Sequence, residues 1–285
     1  MKLENSISVI KKLQKKLEDL IDQTPINPDK IIGVGINMPG LVDSVNGINY
    51  TFFDFEQPVR DIFAESLNIP VFIENDAKAR ALAEHKYGEA NGKKNVLVLH
   101  LDWGVGLGMI LNGKLYKGNS GFSGEFSHIP LIDDGLLCTC GKKGCLETIA
   151  SATALARLAK EGLIKGNESI LKNLINEDLD KLESKLIIEA ARKGDHFAID
   201  LLSQVGNDLG RGLATLIQLL NPEMIIIGGC LAAAKEYLLT SVHQSLYKYC
   251  IPKLREDTQI VYSKLGEDGG VLGALAVVME NIFDQ

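Results

Sequence analysis

The sequence lacks the features that mark several large classes of protein. No stretch approaches the ~20 consecutive apolar residues that a membrane-spanning helix requires. Lys and Arg number 30 against 37 Asp and Glu, a net charge of −7, so the clustered positive charge on which nucleic-acid binding depends is lacking. Residues 1–4 begin no apolar signal core, which predicts a cytoplasmic protein without a membrane partner.

Repeats and low-complexity tracts are also absent, and the composition is that of a globular protein. Hydrophobic residues make up 46 % and charged residues 24 % of the chain, which excludes a disordered or collagen-like protein. At roughly 100–200 residues per domain, the 285 residues predict two domains.

Segments with strand and helix character alternate along the chain, which is typical of an α/β fold. The predicted strands cover residues 31–36, 70–73, 96–101, 108–111, 114–116, 224–227 and 259–262. The predicted helices cover residues 4–22, 59–68, 75–88, 196–220 and 231–248, with a last helix from Gly270. A loop rich in Gly, Asn and Lys predicts a boundary near residue 94. We therefore expect one lobe of residues 1–94 plus about 271–285, a second lobe of residues 95–270, and a cleft between them.

Three of the five cysteines lie close together, and a histidine precedes them. The spacing H-x9-C-x-C-x4-C joins His128, Cys138, Cys140 and Cys145. Tetrahedral Zn²⁺ prefers Cys and His ligands, and a closed four-ligand site is structural. The alternative is three buried thiols and an unrelated histidine. We predict a structural zinc site here, and we expect Cys230 and Cys250 to be small buried side chains.

Polar residues follow a predicted strand and flank the cysteine loop. Asn75 and Asp76 stand where a strand leads into a helix, a place where ligand groups gather but where such residues also cap the helix. Glu125 and His128 follow a Gly-rich segment, and Glu147 follows the last cysteine. Carboxylates, an amide and an imidazole suit the vicinal hydroxyls of a sugar, and a carboxylate placed on one hydroxyl can act as a general base.

Glycines follow two of the predicted strands, at positions 104, 106 and 108 and at positions 228 and 229. Their backbone N–H groups could approach a phosphate, although a Gly-rich hairpin turn explains the first group equally well. The glycines alone therefore carry little weight.

Four segments of the sequence resemble the ROK family, which contains bacterial sugar kinases, sugar-responsive repressors and open reading frames of unknown role. These segments are GINMPG at 35–40, ENDAKA at 74–79, GEFSH at 124–128 and CTCGKKGCLET at 138–148. The resemblance extends from about residue 31 to residue 278. It implies a two-lobe, actin-like and hexokinase-like ATPase fold with ribonuclease H-like lobes, assembled as a homodimer or homotetramer.

The resemblance also implies the roles of individual residues. It implies a zinc ion on His128, Cys138, Cys140 and Cys145. It implies that sugar hydroxyls bind Asn75, Asp76, Glu125, His128 and Glu147, near Gly40. In the kinases of the family, the residue matching Asp76 takes the proton from the attacking sugar hydroxyl. ATP and Mg²⁺, if the chain is a kinase, are expected beside Gly104, Gly106, Gly228 and Gly229.

Two departures from the family pattern bear on function. The kinases begin with strands that carry an Asp-x-Gly-Gly-Thr phosphate motif, and this sequence begins at the following helix. We therefore expect a fragment whose first lobe lacks its N-terminal strands. The kinases also have Gly-Thr-Gly where this chain has Asp102, Trp103 and Gly104. Indole cannot replace a threonine hydroxyl, and a carboxylate facing a triphosphate adds repulsion of ~3 kcal/mol per charge. The alternative is that Trp103 is a core aromatic residue.

The sequence thus favours the sugar-sensing effector domain of a ROK-type transcriptional regulator. A monosaccharide would bind in the cleft and shift a lobe-closure equilibrium, which a DNA-binding segment outside this chain would read. The alternative is an ATP-dependent sugar kinase, similar to glucokinases or N-acetylhexosamine kinases, with Asp76 as the general base. A degenerate fragment without activity is the third hypothesis.

Overall fold

The computed structural model describes residues 7–53, 55–176 and 178–283. The strands are β1 Val34–Met38, β2 Val42–Asp43, β3 Ile48–Asn49, β4 Val71–Asn75, β5 Val96–Leu101, β6 Val105–Leu111, β7 Lys114–Leu115, β8 Met224–Gly228 and β9 Gln259–Tyr262. The α-helices are α1 Ile7–Gln23, α2 Val59–Leu67, α3 Asp76–Tyr87, α4 Glu147–Ala150, α5 Ala152–Ile164, α6 Leu171–Leu174, α7 Ser184–Arg192, α8 His196–Leu220, α9 Glu236–Tyr249, α10 Pro252–Asp257 and α11 Gly269–Phe283. Residues 4–6 of the predicted first helix lie outside the described residues.

The chain divides into two compact units. Unit 1 takes the described residues within 1–91, 115–123 and 267–285, and unit 2 takes those within 92–114 and 124–266. Residues 115–123 thus belong to unit 1, although the sequence pattern places them in the second lobe. No helix among the described residues is long and apolar enough to cross a membrane.

Unit 1 is built on the parallel pair β1 and β4, which are in register from Val34 opposite Val71 to Met38 opposite Asn75. Alternate side chains of β4 point to opposite faces, so Ile73 packs in one apolar cluster and Phe72 packs in another. Helix α11 approaches β1 so closely that a Cβ on Gly35 would lie 2.2 Å from the Ala274 carbonyl oxygen. A glycine is therefore required at this position of β1.

Two buried charged residues, Glu74 and Lys78, bind the segment 115–123 to the rest of unit 1. The Glu74 carboxylate, at the end of β4, lies 2.7 Å from Lys117 Nζ, and Lys117 also donates to Ser44 Oγ at 3.0 Å. The other Glu74 oxygen accepts the Asn75 backbone N–H at 2.9 Å. Lys78 of α3 is buried and donates to the Gly121 carbonyl. Charge pairing, together with packing, thus holds this segment in place.

Unit 2 contains a five-stranded sheet in the order β7-β6-β5-β8-β9. Strand β5 is antiparallel to β6 and parallel to β8, and β8 is parallel to β9. Helix α8 begins after Asp195, whose carboxylate caps the Ala198 N–H at 2.8 Å, and it ends at Asn221 with φ +41°. It packs tightly on α9, since a Cβ on Gly210 would lie 2.7 Å from the Val242 carbonyl oxygen.

The single helix predicted over residues 231–248 is wrong. The chain forms a 3₁₀ turn over Cys230–Ala234 and then α9, with Lys235 between them at φ +47°. A left-handed residue cannot continue a right-handed helix, so the segment changes direction at Lys235. Strand β6 is also longer than the predicted 108–111, because residues 105–107 pair with β5 as well, with Gly106 opposite His100.

Replacing Lys117 by Met tests the role of the ion pair between the half-buried Lys117 and the buried Glu74. This change leaves the buried Glu74 carboxylate without its lysine, so we expect the free energy of unfolding to fall by about 3 kcal/mol, measured by urea denaturation. Lys114→Met, at an exposed position, is the control and should change it by less than about 0.5 kcal/mol. Adding Glu74→Gln to Lys117→Met should restore part of the loss. Equal stability of the two single variants would contradict this account of the segment.

Candidate functional site

Four side chains of unit 2 bring soft ligand atoms together, and they are the four predicted from spacing. His128 Nδ1 lies 3.5 Å from Cys138 Sγ, and Cys140 Sγ lies 3.6 Å from Cys145 Sγ. All four ligand atoms lie within 4.8 Å of one another. A tetrahedral zinc ion with Zn–S bonds of about 2.3 Å has sulfur–sulfur edges of about 3.8 Å. The cluster therefore has both the chemistry and the size of a four-coordinate metal site.

Tight backbone turns hold the cysteine loop in this shape. The Cys138 N–H donates to the Lys142 carbonyl at 2.7 Å, which closes the turn that carries Cys140. Gly144 has φ +71°, and a Cβ there would lie 1.8 Å from the Ile132 carbonyl oxygen. Only glycine meets both demands at this position. The loop is thus folded so that Cys145 faces the other ligands.

The thiols of the cluster differ in acidity. Burial raises the pKa of the Cys145 thiol to about 12. A hydrogen bond from the Lys142 backbone holds the pKa of the Cys140 thiol below its ordinary value. Since a coordinating metal ion deprotonates its thiol ligands outright, a cation in the cluster would offset the effect of burial on Cys145.

Two carboxylates of the predicted sugar site belong to unit 2. Glu125 lies near the His/Cys cluster, and Glu147 lies near the turn after β5. Nδ1 of His128 faces Cys138, and Nε2, the other ring nitrogen, lies 3.9 Å from Glu125 Oε2. Glu147 begins α4, and a Cβ on Gly104 would lie 2.6 Å from Glu147 Oε2. Glu147 therefore packs directly on the backbone of the turn that contains Trp103.

In unit 1, the structure places Asn75, Asp76 and Gly40 together. Asn75 caps α3, because its Oδ1 accepts the N–H groups of Ala77 and Lys78 at 3.1 and 3.2 Å. Its Nδ2 donates to the Gly40 carbonyl at 3.1 Å. Asn75 thus links the first turn of α3 to the backbone at Gly40, and Asp76 Oδ1 accepts the Ala77 N–H at 2.8 Å. The capping role considered from the sequence is present.

The glycines predicted to approach phosphate have structural roles in the fold. Gly106 and Gly108 belong to β6, so the alternative of a hairpin turn does not hold for these two glycines. Gly229 has φ +87°, and a Cβ there would lie 2.3 Å from the Leu101 carbonyl oxygen. Gly104 and Gly228 remain at the ends of strands, where Gly228 is opposite His100.

The turn between β5 and β6 differs most from expectation. The alternative that Trp103 is a core aromatic is wrong, since 83 % of Trp103 is exposed. Asp102 Oδ2 lies 3.6 Å from His100 Nε2, and the carboxylate also interacts with the Cys230 thiol. The predicted burial of Cys230 is wrong because it lies exposed at the start of a 3₁₀ turn, whereas Cys250 is buried as predicted. The turn thus presents an indole and a carboxylate.

Sequence reasoning missed the residues that support the site. Lys117 pairs with Glu74, next to Asn75, and Arg211 of α8 donates to the Leu131 carbonyl at 3.1 Å, at the base of the cysteine loop. Burial raises the pKa of Asp208, which lies 3.6 Å from Arg211. Asp208 and Arg211 are three residues apart on α8. The contacts of Lys117 with Glu74 and of Arg211 with Leu131 join distant residues and follow no local spacing, so the sequence carries no signal for them.

Comparison with known proteins gives relatives of two kinds. The glucokinase of Thermotoga maritima is 36 % identical over 87 % of this chain and 80 % of its own length. The xylose repressor of Caldicellulosiruptor bescii is 31 % identical over 95 % of this chain and 69 % of its own length. The structure of a ROK family glucokinase from Streptomyces griseus, solved with glucose and AMPPNP, has a TM-score of 0.84 and 32 % identity, covering 95 % of this chain and 87 % of that one.

These similarities confirm the predicted fold class, because the mixed α/β architecture matches that of ROK kinases, which is hexokinase-like and actin-like. The family model of ROK proteins matches residues 3–281, nearly the whole sequence. The chain therefore belongs to the ROK family.

Proposed function

We propose that this chain is the sugar-sensing effector domain of a ROK-type transcriptional regulator. The turn after β5 carries the proposal. It lies at the same end of the unit 2 sheet as Gly228, because β5 and β8 are parallel neighbours. There it presents the Asp102 carboxylate and the exposed Trp103 indole. Phosphoryl transfer depends on stabilising negative charge, and a carboxylate at this edge opposes it.

The residues proposed to bind the sugar are polar groups with fixed positions. Glu125 and Glu147 offer carboxylate acceptors for hydroxyl groups, and His128 Nε2 offers a polar atom beside Glu125. In unit 1, Asp76 stands at the first turn of α3, and Asn75 and Gly40 hold its surroundings. Groups held in this way lose little freedom when a ligand binds, which favours affinity and specificity.

We also propose that the cluster of His128, Cys138, Cys140 and Cys145 holds Zn²⁺. When bound, the ion supplies a structural cross-link across the loop, and such sites contribute on the order of 10 kcal/mol to local folding. If His128 coordinated the ion through Nδ1, its Nε2 would remain on the side of the ring that faces Glu125. The metal would then orient the imidazole that the sugar contacts.

The second candidate function is that of an ATP-dependent sugar kinase. The similarity to the Thermotoga maritima glucokinase and the position of Asp76 at the end of β4 favour it. Asp76 would accept the proton of the attacking sugar hydroxyl as a general base. ATP with Mg²⁺ would supply the phosphoryl group, beside the backbone of Gly104 and Gly228.

Activity and binding assays separate the two functions. We expect glucose, xylose or an N-acetylhexosamine to bind in calorimetry without ATP turnover coupled to sugar phosphorylation. Asp76→Asn should weaken binding by roughly ten- to a hundredfold, because hydrogen bonds to a charged group contribute about 1.5–3 kcal/mol. Asp19→Asn, on the exposed side of α1, is the matched control. Sugar-dependent turnover that Asp76→Asn abolishes would establish the kinase instead.

Metal analysis tests the proposed zinc site. The protein as purified should contain about one zinc per chain. Cys140→Ala should lose the metal, because only three ligands remain to bind it. Without that cross-link in the loop, the thermal unfolding midpoint should fall. Cys250→Ala, at a buried cysteine outside the cluster, should keep the metal. Metal-free wild-type protein, with the four side chains intact, would refute the zinc assignment.

A further inference from the structure

Trp103 is the single tryptophan of the chain, and 83 % of it is exposed. An indole is the largest apolar surface that a side chain can offer, and leaving it in water forgoes the free energy of burying it. It stands between β5 and β6, in the turn that also adjoins Glu147 through Gly104. The structure therefore holds a large apolar surface beside a carboxylate that is proposed to bind sugar.

The turn that carries Trp103 is fixed by hydrogen bonds on both sides. The Asp102 N–H donates to the Gly104 carbonyl at 3.0 Å, which closes the turn itself. The first turn of α5 binds it from outside, because the Ala152 N–H donates to the Asp102 carbonyl at 2.9 Å and Thr153 Oγ1 donates to the Trp103 carbonyl at 2.6 Å. The indole is thus presented from a rigid backbone, which lowers the entropy cost of binding on it.

The charges beside the indole restrict its ligand. The Asp102 carboxylate accepts the Trp103 backbone N–H at 3.1 Å, and the Glu147 carboxylate packs on Gly104, so two carboxylates lie on the backbone of the turn that carries the indole. Two carboxylates repel a nucleotide or a sugar phosphate. They accept hydrogen bonds from hydroxyl groups, and the C–H face of a pyranose ring is apolar. A neutral monosaccharide matches both the carboxylates and the indole.

We propose that the Trp103 indole is a stacking platform for the apolar face of an unphosphorylated monosaccharide, whose hydroxyls bind the neighbouring carboxylates. This inference rests on the proposed sugar-binding function and adds a specificity element to it. Phosphorylated sugars would be rejected by Asp102 and Glu147, whereas neutral sugars would bind by stacking and hydrogen bonding together.

The single tryptophan makes the test direct, because all indole emission of the protein comes from Trp103. Glucose, xylose and N-acetylglucosamine are titrated in parallel by calorimetry and by fluorescence. A sugar that binds should shift the emission to shorter wavelength and reduce quenching by acrylamide, while glucose 6-phosphate and ATP should do neither. Trp103→Ala should weaken sugar binding by roughly tenfold, and Trp103→Phe should retain part of the affinity.

Ile164→Ala, at an exposed apolar residue at the end of α5, is the control and should bind sugar as the wild type does. Calorimetric binding with unchanged emission and unchanged affinity of Trp103→Ala would overturn the stacking proposal and leave the sugar-binding function standing. An emission change with ATP and none with sugars would overturn it as well. Absence of binding by every sugar would overturn both proposals together.

Discussion

The closure of the loop between His128 and Cys145 is the constraint on which the unit 2 site depends. This loop has little regular structure, and its shape comes from glycine turns and from four soft ligand atoms that converge within 4.8 Å. The proposed sugar ligands Glu125 and His128 stand at one end of the loop, and Glu147 follows the other. Convergence of the four ligand atoms thus adds to the backbone hydrogen bonds that hold these side chains, such as that of the Leu146 N–H with the Ile129 carbonyl.

The turn of Asp102, Trp103 and Gly104 bears on whether the site favours a charged or a neutral ligand. A phosphate-binding turn offers backbone N–H groups and hydroxyls to an anion. This turn instead offers a carboxylate and an exposed indole, next to the Glu147 carboxylate. The same local chemistry argues against a triphosphate and in favour of a neutral, hydroxyl-rich ligand. The relatives of the chain include a glucokinase and a xylose repressor, which is consistent with the proposal of a sugar ligand.

Local patterns in the sequence predicted much of the fold and the cluster of His128, Cys138, Cys140 and Cys145. Helix α8 was predicted from its apolar spacing at His196–Leu220, where the structure has it, and the cysteine spacing identified the four converging side chains. Both signals lie within a short stretch of chain. The left-handed Lys235, which divides the predicted helix, left no comparable signal, because a lysine is rarely found in that conformation.

Contacts between distant segments were out of reach of the sequence. The ion pair of Glu74 with Lys117 joins residues far apart in the chain, and no spacing rule relates them. The sequence also left open the alternative of a buried Trp103, because an isolated tryptophan after a strand is compatible with either a core or a surface position. Tertiary packing decided both outcomes.

The most direct test of the account is sugar binding with and without the metal. Calorimetric titration of the full chain with the sugar of highest affinity should be performed before chelation, after removal of the metal, and after return of Zn²⁺. We expect chelation to abolish sugar binding and zinc to restore it, because the proposed ion would fix His128 and the ends of its loop. Unchanged affinity in the metal-free protein would contradict the central claim that the cluster organises the site.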